Sequence, residues 1–114
     1  MIDADTDVVC DAGPIIHLDE ISCLDLLGDF RKILLPFSVA DEIEKHRPLA
    51  LKAKLPFSVL RGHNPTDERF LAMCRIFFLD IGETEALTVM ESNPEAIFLT
   101  DDASARNGYR AYGV

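Results

Sequence analysis

The chain predicts an α/β fold, a three-layer sandwich in which a central parallel sheet lies between helical layers. Three observations carry this expectation. Strand-like and helix-like segments alternate along the 114 residues. The strand-like segments are continuously apolar, as strands buried on both faces are. The length suits one domain, residues 1–114, with a core of its own. Hydrophobic residues make up 48% and charged residues 27% of the chain, a globular balance and not a disordered one. Internal repeats, low-complexity tracts and interdomain linkers are absent from the sequence.

The elements follow in order. "DVVCDAGP" opens on a short β-branched run that reaches Asp11 and stops at Gly13-Pro14. It reads as a strand over about 7–11, then a helix with Pro14 in an early position. Ser22 is a plausible N-cap for a helix over "CLDLLGDF" that Gly28 ends. "KILLP" is a second buried strand, and "FSVADEIEKH" has helical spacing with Ser38 as candidate cap. The stretch 48–65 reads as a helical piece and a short strand near 57–60. "NPTDERFLAMCRIFF" is a helix capped by Thr66, with Asp67 and Glu68 in its first turn. "LDIGETEALTVMESNP" gives a helix over about 82–92, broken at Asn93-Pro94. "AIFLT" is a strand, and "DASARNGYRAYG" begins a last helix.

Composition excludes several functions. The formal net charge is −9, which opposes direct binding to a phosphate backbone, since that wants clustered Lys and Arg. An acidic protein can still act on phosphates when divalent cations stand between its carboxylates and the substrate. Cys10, Cys23 and Cys74 are odd in number, widely spaced and without a C-x-x-C pair, so they read as free core thiols. His17, His46 and His63 are scattered, which gives a zinc cluster no support and assigns them packing or surface solvation. No apolar run approaches the ~18 residues that cross a bilayer. The acidic start "MIDADTD" lacks the layout of a signal peptide, so a cytoplasmic protein without membrane contact is the expectation.

Four carboxylate positions stand out among the 20 acidic residues. Asp11 and the pair Asp101/Asp102 lie just past the ends of two apolar strands, and ligands of open α/β sheets bind at those carboxyl ends. On the second helix Val39, Glu42, Ile43 and His46 share one face at i, i+3, i+4, i+7 spacing, which places Glu42 inward and leaves Asp41 and Glu44 elsewhere. Glu83, Ala86, Leu87 and Met90 share a stripe by the same rule, and Glu85 does not. Inward carboxylates are costly unless something cationic meets them. Each position also has an ordinary explanation. Glu83 completes a capping box with Asp80, Glu42 pairs with Lys45 or His46, and Asp101 and Asp102 form a turn and an N-cap. Asp11 before Gly-Pro is then a turn residue. Four such explanations at one sheet edge would have to hold independently.

In chain order, "VVCDAGPIIHL", "LPFSVADEI", "LDIGETEAL" and "FLTDDASAR" resemble the PIN-domain nucleases, in the branch with G-E-x-x-A and T-D-D-x-x-x-R motifs. The resemblance covers nearly all of the chain, with a weak zone over about 47–77. It implies a twisted parallel sheet, an acidic pocket holding Mg²⁺ or Mn²⁺, and hydrolysis of RNA phosphodiester bonds. Asp11, Glu42, Glu83 and Asp101 would be its metal-site carboxylates, with Asp102 contesting the last place. Many small members are toxins held by a cognate antitoxin, and homodimers are common. Two departures stand out. Gly13 occupies a position where many members have Ser or Thr, and members usually continue into a further strand and helix beyond the equivalent of Tyr112-Gly113-Val114. A domain incomplete at its C-terminus, with an unpaired edge beside the last readable strand, is the expectation from the second.

Mg²⁺ prefers carboxylate oxygens and retained waters, which would make adjacent carboxylates tolerable. Asp11 and Asp101 are the expected direct ligands. Glu42 and Glu83 would act through waters or position the nucleophile, and Arg106 would contact substrate phosphate or balance Asp102. Two rivals remain. One is a PIN-like interaction protein that has lost activity and works by partner binding. The other is a phospho-acceptor receiver domain, in which the Asp pair usually follows the first strand; here it follows the last readable one.

Overall fold

The computed structural model describes residues 5–61, 68–76 and 81–101. Four strands, β1 (Asp7–Cys10), β2 (Lys32–Pro36), β3 (Phe57–Leu60) and β4 (Ile97–Leu99), form one all-parallel sheet in the order β3-β2-β1-β4. The helices are α1 (Ala12–Glu20), α2 (Phe37–His46), α3 (Glu68–Ile76) and α4 (Ile81–Ser92). The parallel sheet expected from the continuously apolar strands is therefore present, and α1, α2, α4 and all four strands lie where the sequence places them.

The side chains of the two central strands divide by the period-2 alternation of a pleated sheet. Val8, Cys10, Ile33 and Leu35 pack beneath α1 and α2, against Ile15, Val39 and Ile43. Val9 and Leu34 point the other way and meet Ala86, Val89 and Met90 of α4. Both faces of β1 and β2 are thus covered, which is why those strands show no polar alternation. Edge strands β3 and β4 are less buried, and Val59 and Ile97 are exposed. Among the described residues β4 pairs only with β1.

Local termination differs from expectation at two places. Residues Leu24–Asp29 form a 3-10 helix, with Gly28 inside it, instead of an α-helix that Gly28 ends. Leu24, Leu27 and Phe30 are all buried while Leu26 is 64% exposed. That is a three-residue repeat, and three residues per turn aligns i with i+3. Ser22 does not cap this segment. It closes α1 with a positive φ of 59°, while its own N–H donates to Asp19 O and that of Cys23 donates to Leu18 O. This is a Schellman-type ending. At α2 the N-cap position is Pro36 and Ser38 lies within the first turn. The expected Thr66 cap, Asp80 and the last helix lie outside the described residues.

Candidate active site

Parallel pairing lines up the carboxyl ends of the strands, and each strand passes straight into the residues of interest. Asp11 follows Cys10, Phe37 follows Pro36, and Thr100 and Asp101 follow Leu99. Cys10 is in register with Leu99, and the Asp11 N–H donates to Leu99 O at 3.1 Å. Asp11 and Thr100 are therefore side by side at the edge of the sheet. The Thr100 hydroxyl donates to Asp11 Oδ2 at 2.5 Å across 89 positions of sequence. Asp11 is only 6% exposed.

Asp11 stands at the N-cap of α1, where an aspartate ordinarily accepts an amide of the first turn. No such side-chain bond is made. The Asp11 side chain thus does not cap α1, and its carboxylate accepts instead from the Thr100 hydroxyl just past the end of β4. Its charge also reaches Cys10. Burial, and then the neighbouring Asp11 carboxylate, push that thiol up to about 12. Cys10 stays protonated near neutral pH and is no nucleophile.

Asp101 lies against the start of α1. Its Oδ2 is 3.0 Å from His17 Nδ1, with both side chains substantially exposed. The carboxylate rests over Gly13, where a Cβ would come within 2.7 Å of Asp101 Cγ and closer still to both oxygens. The missing side chain at Gly13 is what admits Asp101 to this position. His17 was expected only to pack or be solvated. Its role came from the three-dimensional approach of α1 to the end of β4, which no spacing in the sequence encodes.

The helical glutamates divide. Glu83 is in the first turn of α4, half-buried, with Oε2 wholly buried. Ala86, Leu87 and Met90 of its stripe are buried as expected. Glu42 is exposed, and so is His46, which corrects the inward placement of that face of α2. The buried arc of α2 is Val39, Ala40 and Ile43. At about 100° per residue, Glu42 lies roughly 100° from its centre, on the flank. Glu85, expected off the buried stripe, is half-buried, and its Oε2 accepts the Ser38 N–H at 3.4 Å. This sets a carboxylate from α4 against the positive N-terminal end of α2. Asp102 and Arg106 lie outside the described residues.

The donor set that meets at this edge is therefore hard oxygen: the carboxylates of Asp11 and Asp101 and the hydroxyl of Thr100. Among the described residues no three His, Cys, Asp or Glu side chains converge as a ready metal cage. A cavity of about 340 Å³ opens at the opposite edge of the sheet, lined by Asp5, Asp7, Arg31 and residues 92–96. Arg31 there is already bound by Asp7 through two bonds of 2.8 and 2.7 Å.

A family model described as a PIN domain matches residues 7–114, nearly the whole chain. No curated protein and no solved structure matches it significantly. No helix among the described residues is long and apolar enough to cross a membrane.

Proposed function

Because the chain belongs to the PIN-domain family, we propose that it is a divalent-metal-dependent endoribonuclease, hydrolysing RNA phosphodiester bonds at the carboxyl edge of its sheet. The observation that supports this most is the buried Asp11 carboxylate, held by Thr100 from a strand 89 positions away. Asp101 follows at once. A buried aspartate whose side chain does not cap its own helix suits a cation site.

The residues fit Mg²⁺ or Mn²⁺. Mg²⁺ is commonly held by one or two carboxylates with several waters kept, so two aspartates without a third ligand suffice. Asp11 and Asp101 would hold the ion directly. Glu83 and Glu42 would reach its waters, and Asp102 and Arg106 remain the proposed further ligand and phosphate contact. When bound, the ion supplies a Lewis acid for the phosphoryl oxygen and a water of lowered pKa. The protein's own part is orientation. The Thr100 hydroxyl donates to Asp11, Gly13 leaves room for Asp101, and the first turn of α4 carries Glu83 with its Oε2 buried. Such fixed placement is what converts encounter into in-line geometry. The finer form of this reading is the toxin of a toxin–antitoxin pair, acting as a homodimer, for which the resemblance to small family members is the support.

The test is incubation with single-stranded and structured RNAs in Mg²⁺, Mn²⁺ or EDTA, comparing wild type with Asp11→Asn. Cleavage is expected only with metal, and at least about 100-fold slower in the variant, by analogy with losing a transition-state charge contact. Cleavage that survives EDTA, or equal rates for the two proteins, overturns the proposal in favour of a contaminant or a PIN-like interaction protein.

A further inference from the structure

The carboxyl edge of the sheet carries a second, non-acidic feature. Pro36 and Leu60 are register partners at the ends of β2 and β3. The next residues, Phe37 and Arg61, therefore emerge together, and the Arg61 guanidinium carbon lies 4.3 Å from the centroid of the Phe37 ring. Phe37 remains 43% exposed in spite of this cover. Arg61 is exposed too. Arg31, Lys45 and Arg47 are bound by Asp7, Asp41 and Asp19. Among the described residues Arg61 pairs with no carboxylate, in a chain of net charge −9.

We infer that Phe37 and Arg61 form a nucleotide-stacking platform that selects single-stranded RNA and delivers it to the carboxylates of the same edge; the inference rests on the function proposed above. The strand order places Asp11 one strand from Phe37 and two from Arg61, and Asp101 two and three strands away in turn. At about 4.8 Å per strand this is roughly 5–14 Å, the rise of about two to four stacked nucleotides. An exposed ring and a planar guanidinium are the surfaces on which unpaired bases stack. The same guanidinium can donate a fork of two hydrogen bonds to a phosphate. An acidic protein gains little from general electrostatic attraction to RNA. A local stacking surface that carries a guanidinium supplies what its net charge does not, and a base already paired inside a duplex cannot lie on it.

The experiment measures fluorescence anisotropy of labelled oligoribonucleotides, single-stranded or in a duplex, in Mg²⁺. The Asp11→Asn protein is the background, so that binding is read without cleavage. Phe37→Leu, which keeps apolar volume but has no ring face, should weaken single-strand binding by about 5- to 100-fold, while Phe37→Trp retains it. Arg61→Ala should also lower the slope of log affinity against log salt by roughly 0.7. Duplex binding should change little in any variant. If Phe37→Leu and Arg61→Ala bind single strands as the background does, or lose single-strand and duplex affinity alike, the platform is refuted and the nuclease reading stands. If neither the background nor the wild type in EDTA binds RNA of either form, the platform is refuted, and the nuclease reading is decided by the cleavage test above.

Discussion

Gly13 and Asp101 show how a single absent side chain shapes the site. A Cβ at Gly13 would collide with a carboxylate, and that carboxylate ends a short, half-exposed side chain. It can swing away more easily than backbone can. Gly13→Ser should therefore cost little stability, within about 1 kcal/mol, while displacing Asp101 and breaking its approach to His17. Mn²⁺ affinity by titration calorimetry should fall at least about tenfold, in parallel with RNA cleavage. An unchanged Mn²⁺ affinity would show that Asp101 does not need its place over Gly13. The same residue bears on the departure from a hydroxyl seen in the sequence: here the space is given to Asp101, just past β4.

At the scale of elements, the ends of α1 and the start of the sheet are the informative places. Ser22 holds the left-handed conformation that a Schellman ending requires, and a side chain there is strained where glycine is not. Ser22→Gly should stabilise the protein by about 0.5–1 kcal/mol in urea melts, since relief of that strain exceeds the extra chain entropy glycine brings. A destabilised variant would indicate that the serine side chain has a role of its own. At the opposite edge, Arg31 grips Asp7 and joins β2 to β1. The hydrogen bond from Arg31, chiefly, holds the Asp7 carboxyl below its ordinary value of 3.8. A depressed carboxylate pKa means stability that is present above the unfolded value and lost as pH falls through the folded one. Asp7→Asn should therefore flatten the dependence of unfolding free energy on pH below about 4 and leave its slope unchanged near neutrality. Equal acid slopes for wild type and variant would remove this joint from the account of acid stability.

Taken as a whole, the molecule brings Asp11 and Asp101 to one edge of a sheet, and on the proposed function their repulsion would disfavour the metal-free state and couple stability to cations. Any ion that binds only the folded form raises the melting temperature, by about 2.7 kcal/mol of stability at 100 times its dissociation constant. Mg²⁺ should thus raise the wild-type melting temperature by several degrees and do so far less for Asp101→Asn. Equal shifts in both would remove Asp101 from the ion's surroundings. Much of this architecture is legible in the sequence alone. Continuous apolar runs such as "KILLP" specify doubly covered strands, because burial on both faces leaves no position for a polar residue. The stripe Glu83–Ala86–Leu87–Met90 specifies which side of α4 turns inward. Asp11 and Asp101 could be assigned to one edge because parallel strands share a direction. What the sequence could not determine was contact between elements. Glu42 lies on the flank of α2 and not within its buried arc, which only the angle of packing decides. His17 meets Asp101, Glu85 meets the amide of Ser38, and Phe37 meets Arg61, all through strand order and register. Those are properties of non-local pairing. Local periodicity reports which face of an element is apolar, whereas its neighbours are chosen by the packing of the whole chain.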